Sequence, residues 1–421
     1  MLVKLCLKPT RLAGGGRISW RQTFASLQYR NYRLWFFGQM VSLCGTWMQA
    51  TAQSYLVYDL TRSPTFLGLV GFASGIPSWL LTLYGGVIAD RVARRTLLIV
   101  TQSIMMLLAF ILAALTFSHL VRPWHIILLA SSLGVVNAFD GPTRQSFVLE
   151  MVERKDLANA IALNSTMFNS ATAVGPAVAG LTYMWFGPAW CFIINGISFI
   201  AVIVALRFMK LAARARTVGR ASTLAELKEG LRYVGAQPII RTLICLVAAT
   251  TLFGHSFATL IPAWAVKILG GDAKTNGFLQ SARGAGAVGG AILLATFSHF
   301  NIKGKLLTAG AFIFPVLLLT FAFVRWLPLS LLALFGVGAA MILFLNLANT
   351  MVQTQVPDSL RGRVMGVYTL IFFGSMPLGA LWVGTVAERF GLPVPIIIGS
   401  LTALAVAVLV WVFIPKLRAL P

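Results

Sequence analysis

The amino-acid sequence predicts an all-α membrane protein of twelve transmembrane helices in two six-helix halves. Three observations carry this expectation. The first is composition. Of 421 residues, 58% are hydrophobic and 11% charged, with a mean hydropathy of +0.84. An ordinary soluble domain carries about 25% charged residues, and a single soluble core stops growing beyond roughly 250–300 residues. This much apolar sequence needs lipid as its solvent. The second observation is a series of twelve mostly apolar runs, each near the roughly 20 residues that a spanning helix requires. The third is a repeat at a constant offset between the first six runs and the last six.

In chain order, residues 1–33 form a basic segment with Lys4, Lys8, Arg11, Arg17, Arg21, Arg30 and Arg33. It lacks a short apolar core ahead of a small-residue cleavage site, so no signal peptide is expected. Spans are predicted at 34–58, 66–89, 96–117, 124–143, 158–182 and 189–209, completing a first half of 34–209. The segment 210–237 is the only long polar stretch. Lys210, Arg214, Arg216 and Arg220 precede Thr223-Leu-Ala-Glu226, the pattern of a capping box. Leu224, Leu227, Leu231 and Val234 share a helical face, which predicts an amphipathic helix lying on the cytoplasmic leaflet and tethering the halves. The second half, 238–415, holds spans at 239–266, 276–297, 305–324, 327–350, 363–386 and 393–414. A tail of 416–421 remains.

The net charge of +23 reads as an orientation signal rather than a nucleic-acid footprint. With the N-terminus placed inside, 27 of the 34 basic residues fall on that side. Six lie on the other side (Arg62, Arg122, Lys267, Lys274, Arg325 and Arg389), and Arg283 falls within a span. The positive-inside rule then puts both termini in the cytoplasm. Trp124, Trp190 and Trp326 each open a span at the opposite face, as interfacial anchors do. The offset is visible in Arg122-Pro-Trp124 against Arg325-Trp326-Leu-Pro328, and in Gly180 to Gly187 against Gly384 to Gly391, 204 residues apart. Such a parallel repeat belongs to a transporter architecture whose substrate site lies between the halves near the midplane.

Ionisable groups inside a membrane are costly and mark function. Asp140 and Arg144, four apart near the inner end of the fourth span, can pair on one face. The pair is either the proton-coupling group or a structural ion pair. Arg283 either binds an anionic substrate or meets a carboxylate from another helix, and His255 either packs or faces the cavity. Gln49 and Gln53 in the first span, and Asn346, Asn349 and Gln353 in the tenth, mark faces toward a central cavity or hydrogen bonds between helices. Asp59 reads as interfacial. The scarcity of carboxylates at mid-membrane points to neutral or anionic cargo and away from polycations.

Cys6, Cys44, Cys191 and Cys245 lie far apart without a CxxC, so neither a disulfide framework nor a zinc site is expected. There is no Walker-type GxxxxGK[ST] for ATP hydrolysis. His119 and His125 have no nearby acid, which weighs against a membrane enzyme.

Between the second and third spans stands Gly86-Val-Ile-Ala-Asp90-Arg91-Val-Ala-Arg94-Arg95. It resembles the GxxxDRxGRR signature of the major facilitator superfamily, with Ala93 in place of the second glycine. Gly86 is expected to let two helices approach closely. Asp90 is expected to face the positive N-terminal end of the eleventh span, near Arg361 and Arg363, as a latch that holds the cytoplasmic side shut. In the second half His299 stands where Asp90 does, so the latch should be one-sided. Asp140-Gly-Pro142-Thr-Arg144-Gln145, Leu157-Ala-Asn159 through Asn164-Ser165, Asn31-Tyr-Arg33 and Gly45-Thr-Trp47-Met-Gln49 look like the enterobactin-exporter and macrolide-efflux branch. Gly175-Pro176-x-x-x-Gly180 is similar to the fifth-helix motif of antiporters there. The resemblance implies the major facilitator fold and a proton-driven antiporter exporting an amphipathic molecule, drug-like or siderophore-like, by alternating access. It implies no cofactor, no nucleic-acid partner, a functional monomer, and the bacterial cytoplasmic (inner) membrane. The alternatives are a siderophore or metabolite exporter of narrow specificity and, more distantly, a non-transporting membrane enzyme or scaffold.

Overall fold

The computed structural model describes residues 24–210, 223–297 and 302–418. Among the described residues the chain is helical, with no strand. Fourteen α-helices follow one another: α1 (Arg30–Thr61), α2 (Pro64–Arg91), α3 (Arg94–Phe117), α4 (Pro123–Phe147), α5 (Leu157–Phe186), α6 (Pro188–Phe208), α7 (Thr223–Ala236), α8 (Pro238–Ala249), α9 (Ile261–Lys267), α10 (Ala273–Phe297), α11 (Lys303–Phe323), α12 (Leu327–Gln355), α13 (Asp358–Phe390) and α14 (Pro393–Phe413). Proline opens α2, α4, α6, α8 and α14, where its missing N–H would be unpaired anyway. Glycines with positive φ close α5 and α13: Gly187 at 89° and Gly391 at 91°. The offset of 204 residues read from the sequence thus recurs in the backbone.

Nine helical stretches among the described residues are long and apolar enough to cross a membrane. The predicted spans 34–58, 158–182 and 276–297 are occupied by α1, α5 and α10, whose Gln, Asn and Arg residues lower their hydropathy. The seventh predicted span is not one continuous helix. It runs as α8, a π turn over Thr250–Gly254, a 3-10 stretch over His255–Leu260, and α9. Gly254 lies inside the break, where a Cβ would stand 2.5 Å from the Phe314 ring, and Pro262 removes a donor just beyond it.

Helices α1 to α6 pack among themselves, as do α8 to α14, and the two groups meet mainly where α2 crosses α13 and α5 crosses α10. One face of the molecule gathers Ser26, Arg94, Glu150, Asn159, Lys210, Glu229 and Arg363; it is called the terminal face below, because the start of α1 and the end of α14 both lie there. Ser63, Lys274 and Glu388 lie on the opposite face. Both crossings are tight toward that opposite face. A Cβ at Gly384 would stand 2.7 Å from the Pro64 carbonyl oxygen, and one at Gly68 2.6 Å from that of Ala380. At the second crossing the equivalents are Gly277, 2.5 Å from the Pro176 carbonyl, and Gly180, 3.0 Å from that of Ala273. Toward the terminal face three glycines of α2 and α13 make no such contact. A Cβ at Gly86 of α2, or at Gly362 or Gly366 of α13, would meet nothing within 4 Å.

The segment ahead of α1 is strapped to the start of α5. The Ser26 amide donates to Asn159 Oδ1 (2.9 Å) and the Tyr29 hydroxyl to Asp156 Oδ2 (2.7 Å). That bond to a carboxylate holds the Tyr29 phenol above its usual range. Helix α7 forms where the capping pattern predicts a helix and packs against α13. Val234 is 7% exposed, Gly230 sits against the Arg363 backbone, and Leu231 is 49% exposed. The Leu224 side chain lies outside the described residues.

A chamber between the helix groups

α2, α13 and the 3-10 stretch of the seventh span line an open cavity of about 260 Å³. Ser74, Ser78 and Trp79 line it from α2, His255 and Thr259 from the 3-10 stretch, and Phe373 from α13. Trp79 fixes one wall: its indole N–H donates to the Leu370 carbonyl at 2.8 Å, and a Cβ at Gly374 would stand 2.6 Å from the same nitrogen. Ser78 and Thr259 have intermediate exposure, and their hydroxyls carry no hydrogen bond among the described residues.

His255 therefore lies at a cavity wall, with Nδ1 3.1 Å from Met341 Sδ. Arg283 lies on α10. Its Nε is sealed from solvent without a hydrogen-bond partner, and the side chain makes no ion pair among the described residues. Of the two sequence readings of Arg283, pairing with a carboxylate of another helix is not what the structure shows.

Asp140 and Arg144 do pair, at 2.7 Å, with the carboxylate fully buried. The Thr101 hydroxyl and the Gln102 amide, both on α3, donate to Asp140 Oδ1 at 2.9 Å each. Gln49 is drawn into a bond between helices, accepting from Asn195 Nδ2 of α6 at 2.7 Å. Gln53 is 9% exposed. On α12, Gln353 Nε2 donates to Asn349 Oδ1 at 2.6 Å, and Asn346 is exposed.

The latch residues are scattered. Gly86 makes no close approach; its neighbour Gly85 does, against the Ala138 carbonyl of α4. Arg94 pairs with Glu150 at 2.7 Å, and Arg95 donates to the Arg207 carbonyl at 2.7 Å. Arg361 pairs with Asp358 and Arg363 with Glu229 of α7, both at 2.5 Å. Arg91 has a partner as well. The Asp90 side chain and all of His299 lie outside the described residues. Gly175 and Pro176 act in packing: a Cβ at Gly175 would stand 2.6 Å from that of Trp47 on α1, and Pro176 and Gly180 meet α10.

Asn195, Thr101, Gln102, Trp79, Glu229 and Glu388 form no motif in the sequence. The one signal for Asn195 is a lone amide in the apolar run of α6.

The model of transmembrane secretion effectors matches residues 21–420. The multidrug efflux pump Tap of Mycolicibacterium fortuitum is 27% identical over 91% of this chain and 95% of its own length. The staphyloferrin A transporter of Staphylococcus aureus is 25% identical over 86% and 90%, and the enterobactin exporter of Shigella flexneri 24% identical over 84% of each. Among solved structures, a bacterial homologue of the human lysosomal transporter Spinster, inward-facing and occupied, superposes with a TM-score of 0.72 at 14% identity, covering 93% of this chain and 98% of that one. These relatives are transporters and not enzymes. The chain belongs to the transmembrane secretion effector family of the major facilitator superfamily, as a multi-pass membrane transporter.

Proposed function

We propose that this transporter is a secondary active exporter of an amphipathic small molecule, working by alternating access and driven by proton antiport. The observation that carries the reading is the pair of tight crossings on one face, with a cavity beside that of α2 and α13. α2 and α13, and likewise α5 and α10, are closed toward one face by glycine contacts, while three glycines of α2 and α13 make no such contact toward the other. This is the geometry of one end of an alternating-access cycle. The twelve-span reading takes α8 to α9 as one broken span and adds α1, α5 and α10 to the apolar helices. The halves are then 34–209 and 238–415, joined by 210–237. The charge asymmetry supports a cytoplasmic terminal face and the inner membrane as location. In this conformation the substrate enters from the cytoplasm.

Proton coupling rests on Asp140. It is ionisable and buried near the inner end of α4, and its pairing with Arg144 can be exchanged for protonation when the halves move. Asp90 and the N-terminal end of α13 form the latch of the other state, in which Arg363 leaves Glu229. The names of the relatives support both cargo types, hydrophobic drug and siderophore. Efflux of one macrolide and one catecholate is to be measured in cells lacking other pumps, with and without collapse of the proton gradient. Gradient-dependent efflux of at least one is expected. Unchanged accumulation of both compounds would overturn the reading.

A further inference from the structure

The geometry points to Glu388 as the fastener that holds one face of this transporter shut, by capping from the second helix group the start of α2 in the first; this deepens the alternating-access reading and rests on it. α2 begins without a cap of its own. Ser63 stands at its N-cap position but makes no side-chain bond to the helix, although serine is among the residues best suited to do so. Pro64 follows and has no N–H, so the Thr65 amide is the first donor of α2 that needs an acceptor. Both groups are met from the other helix group. Glu388, in the last turn of α13, accepts from the Ser63 hydroxyl at 2.5 Å and from the Thr65 amide at 3.2 Å, both through Oε2. The helix is thus capped by a carboxylate 323 positions away, and a negative charge meets the positive end of its dipole.

The other two carboxylates near that face are satisfied within their own segments. Asp59 pairs with Arg62 at 2.7 Å, and Asp272 accepts from the Thr275 amide at 2.9 Å. Glu388 lies one turn beyond Gly384, whose Cβ would stand 2.7 Å from the Pro64 carbonyl oxygen. The bond therefore sits at the rim of the tight crossing and is lost when α2 and α13 separate there. The glycine contacts let the backbones meet but give no directional hold, and Glu388 supplies it. The Glu388 side chain is exposed, so water replaces both donors once the face opens, and the exchange is mild enough to be repeated in every cycle.

The test is thiol labelling in a background with the four cysteines replaced and carrying Met376→Cys, since Met376 lines the cavity. An impermeant maleimide is added to either side of membrane vesicles. Glu388→Ala should raise the labelling rate from the Glu388 face about fivefold, as expected for the loss of one helix cap, and lower it from the terminal face. Glu388→Gln keeps an acceptor for both donors and loses only the charge, so its rate should fall between. Ser63→Ala removes one of the two bonds and should act in the same direction with a smaller effect. Added to Glu388→Ala it should change nothing more, because its partner is already gone. An unchanged rate from the Glu388 face in Glu388→Ala, a rise from both faces alike, or additive effects in the double variant would overturn the role. If Glu388→Ala fails to reach the membrane, Ser63→Ala and Glu388→Gln decide by the same readout. Labelling that shifts as expected in a protein that moves neither the macrolide nor the catecholate would sink the export reading and leave the fastener standing. Unchanged labelling in a protein that exports would overturn the fastener alone.

Discussion

Asp140 is fully buried, with two hydrogen bonds to one carboxylate oxygen and the Arg144 guanidinium 2.7 Å from the other, so the two roles open to it separate by substitution. Asp140→Ala strands the Arg144 guanidinium and should cost about 3–5 kcal/mol, read as a lower melting temperature in detergent. Asp140→Asn keeps acceptors for Thr101 and Gln102 and removes only the charge. If the residue couples protons, the Asn variant reaches the membrane at normal levels but exports without dependence on the pH gradient. Unchanged gradient-driven efflux would leave the pair a structural one. Gln49 shows what one sequence leaves hidden at this scale: its partner Asn195 is 146 positions away, and no local spacing announces it. Gly85 and Gly86 show another limit. Adjacent helical residues point about 100° apart, and only the position of α4 decides which of the two glycines lies against it.

At the scale of elements, the helices were legible because lipid-spanning runs need no partner to declare themselves; their breaks were not. The seventh span reads as continuous apolar sequence, and its π turn follows from contact with Phe314 and α13, which composition does not encode. The amphipathic pattern of α7 was legible, yet which of its residues meet α13 was not, since a leaflet and a neighbouring helix select the same apolar pattern. The crossings yield a paired prediction. Gly384→Leu drives a side chain into the Pro64 carbonyl and should favour opening on the Glu388 face. Gly86→Leu has open space in the present state and should fold and bind normally, but obstruct closure on the terminal face. Thiol-labelling rates from the two sides should move in opposite directions in the two variants. For α7, Glu229→Ala removes the bond to Arg363; it should raise the accessibility of the α13 N-terminus to the same reagents, with little change in melting temperature, because the pair is half exposed and such pairs contribute up to about 1 kcal/mol.

For the whole molecule, the repeat was the most legible property, since it is written in widely spaced, redundant signals, and the same kind of signal underlies the orientation expected from the charges. The repeat is recovered in the glycine caps Gly187 and Gly391 and in the matching contacts of Gly180 and Gly384. A fluorescent protein fused after Leu417 should light up inside the cell, and an alkaline phosphatase fused there should stay inactive; the reverse result would invert the topology. The chamber was legible only in outline. His255 was singled out as an ionisable group in an apolar run, whereas Trp79, Ser78 and Thr259 carry no such mark.

The antiparallel crossing of α2 and α13 makes the pair a see-saw. From Ser63 to Trp79 the arm of α2 is about 24 Å long, and beyond Trp79, pinned to Leu370, a second arm of some 18 Å reaches Arg91. A tilt about that fulcrum that closes one end opens the other by a similar distance. The indole of Trp79 is therefore the point that moves least, and the wall it gives the chamber keeps its shape while the exits on either side exchange.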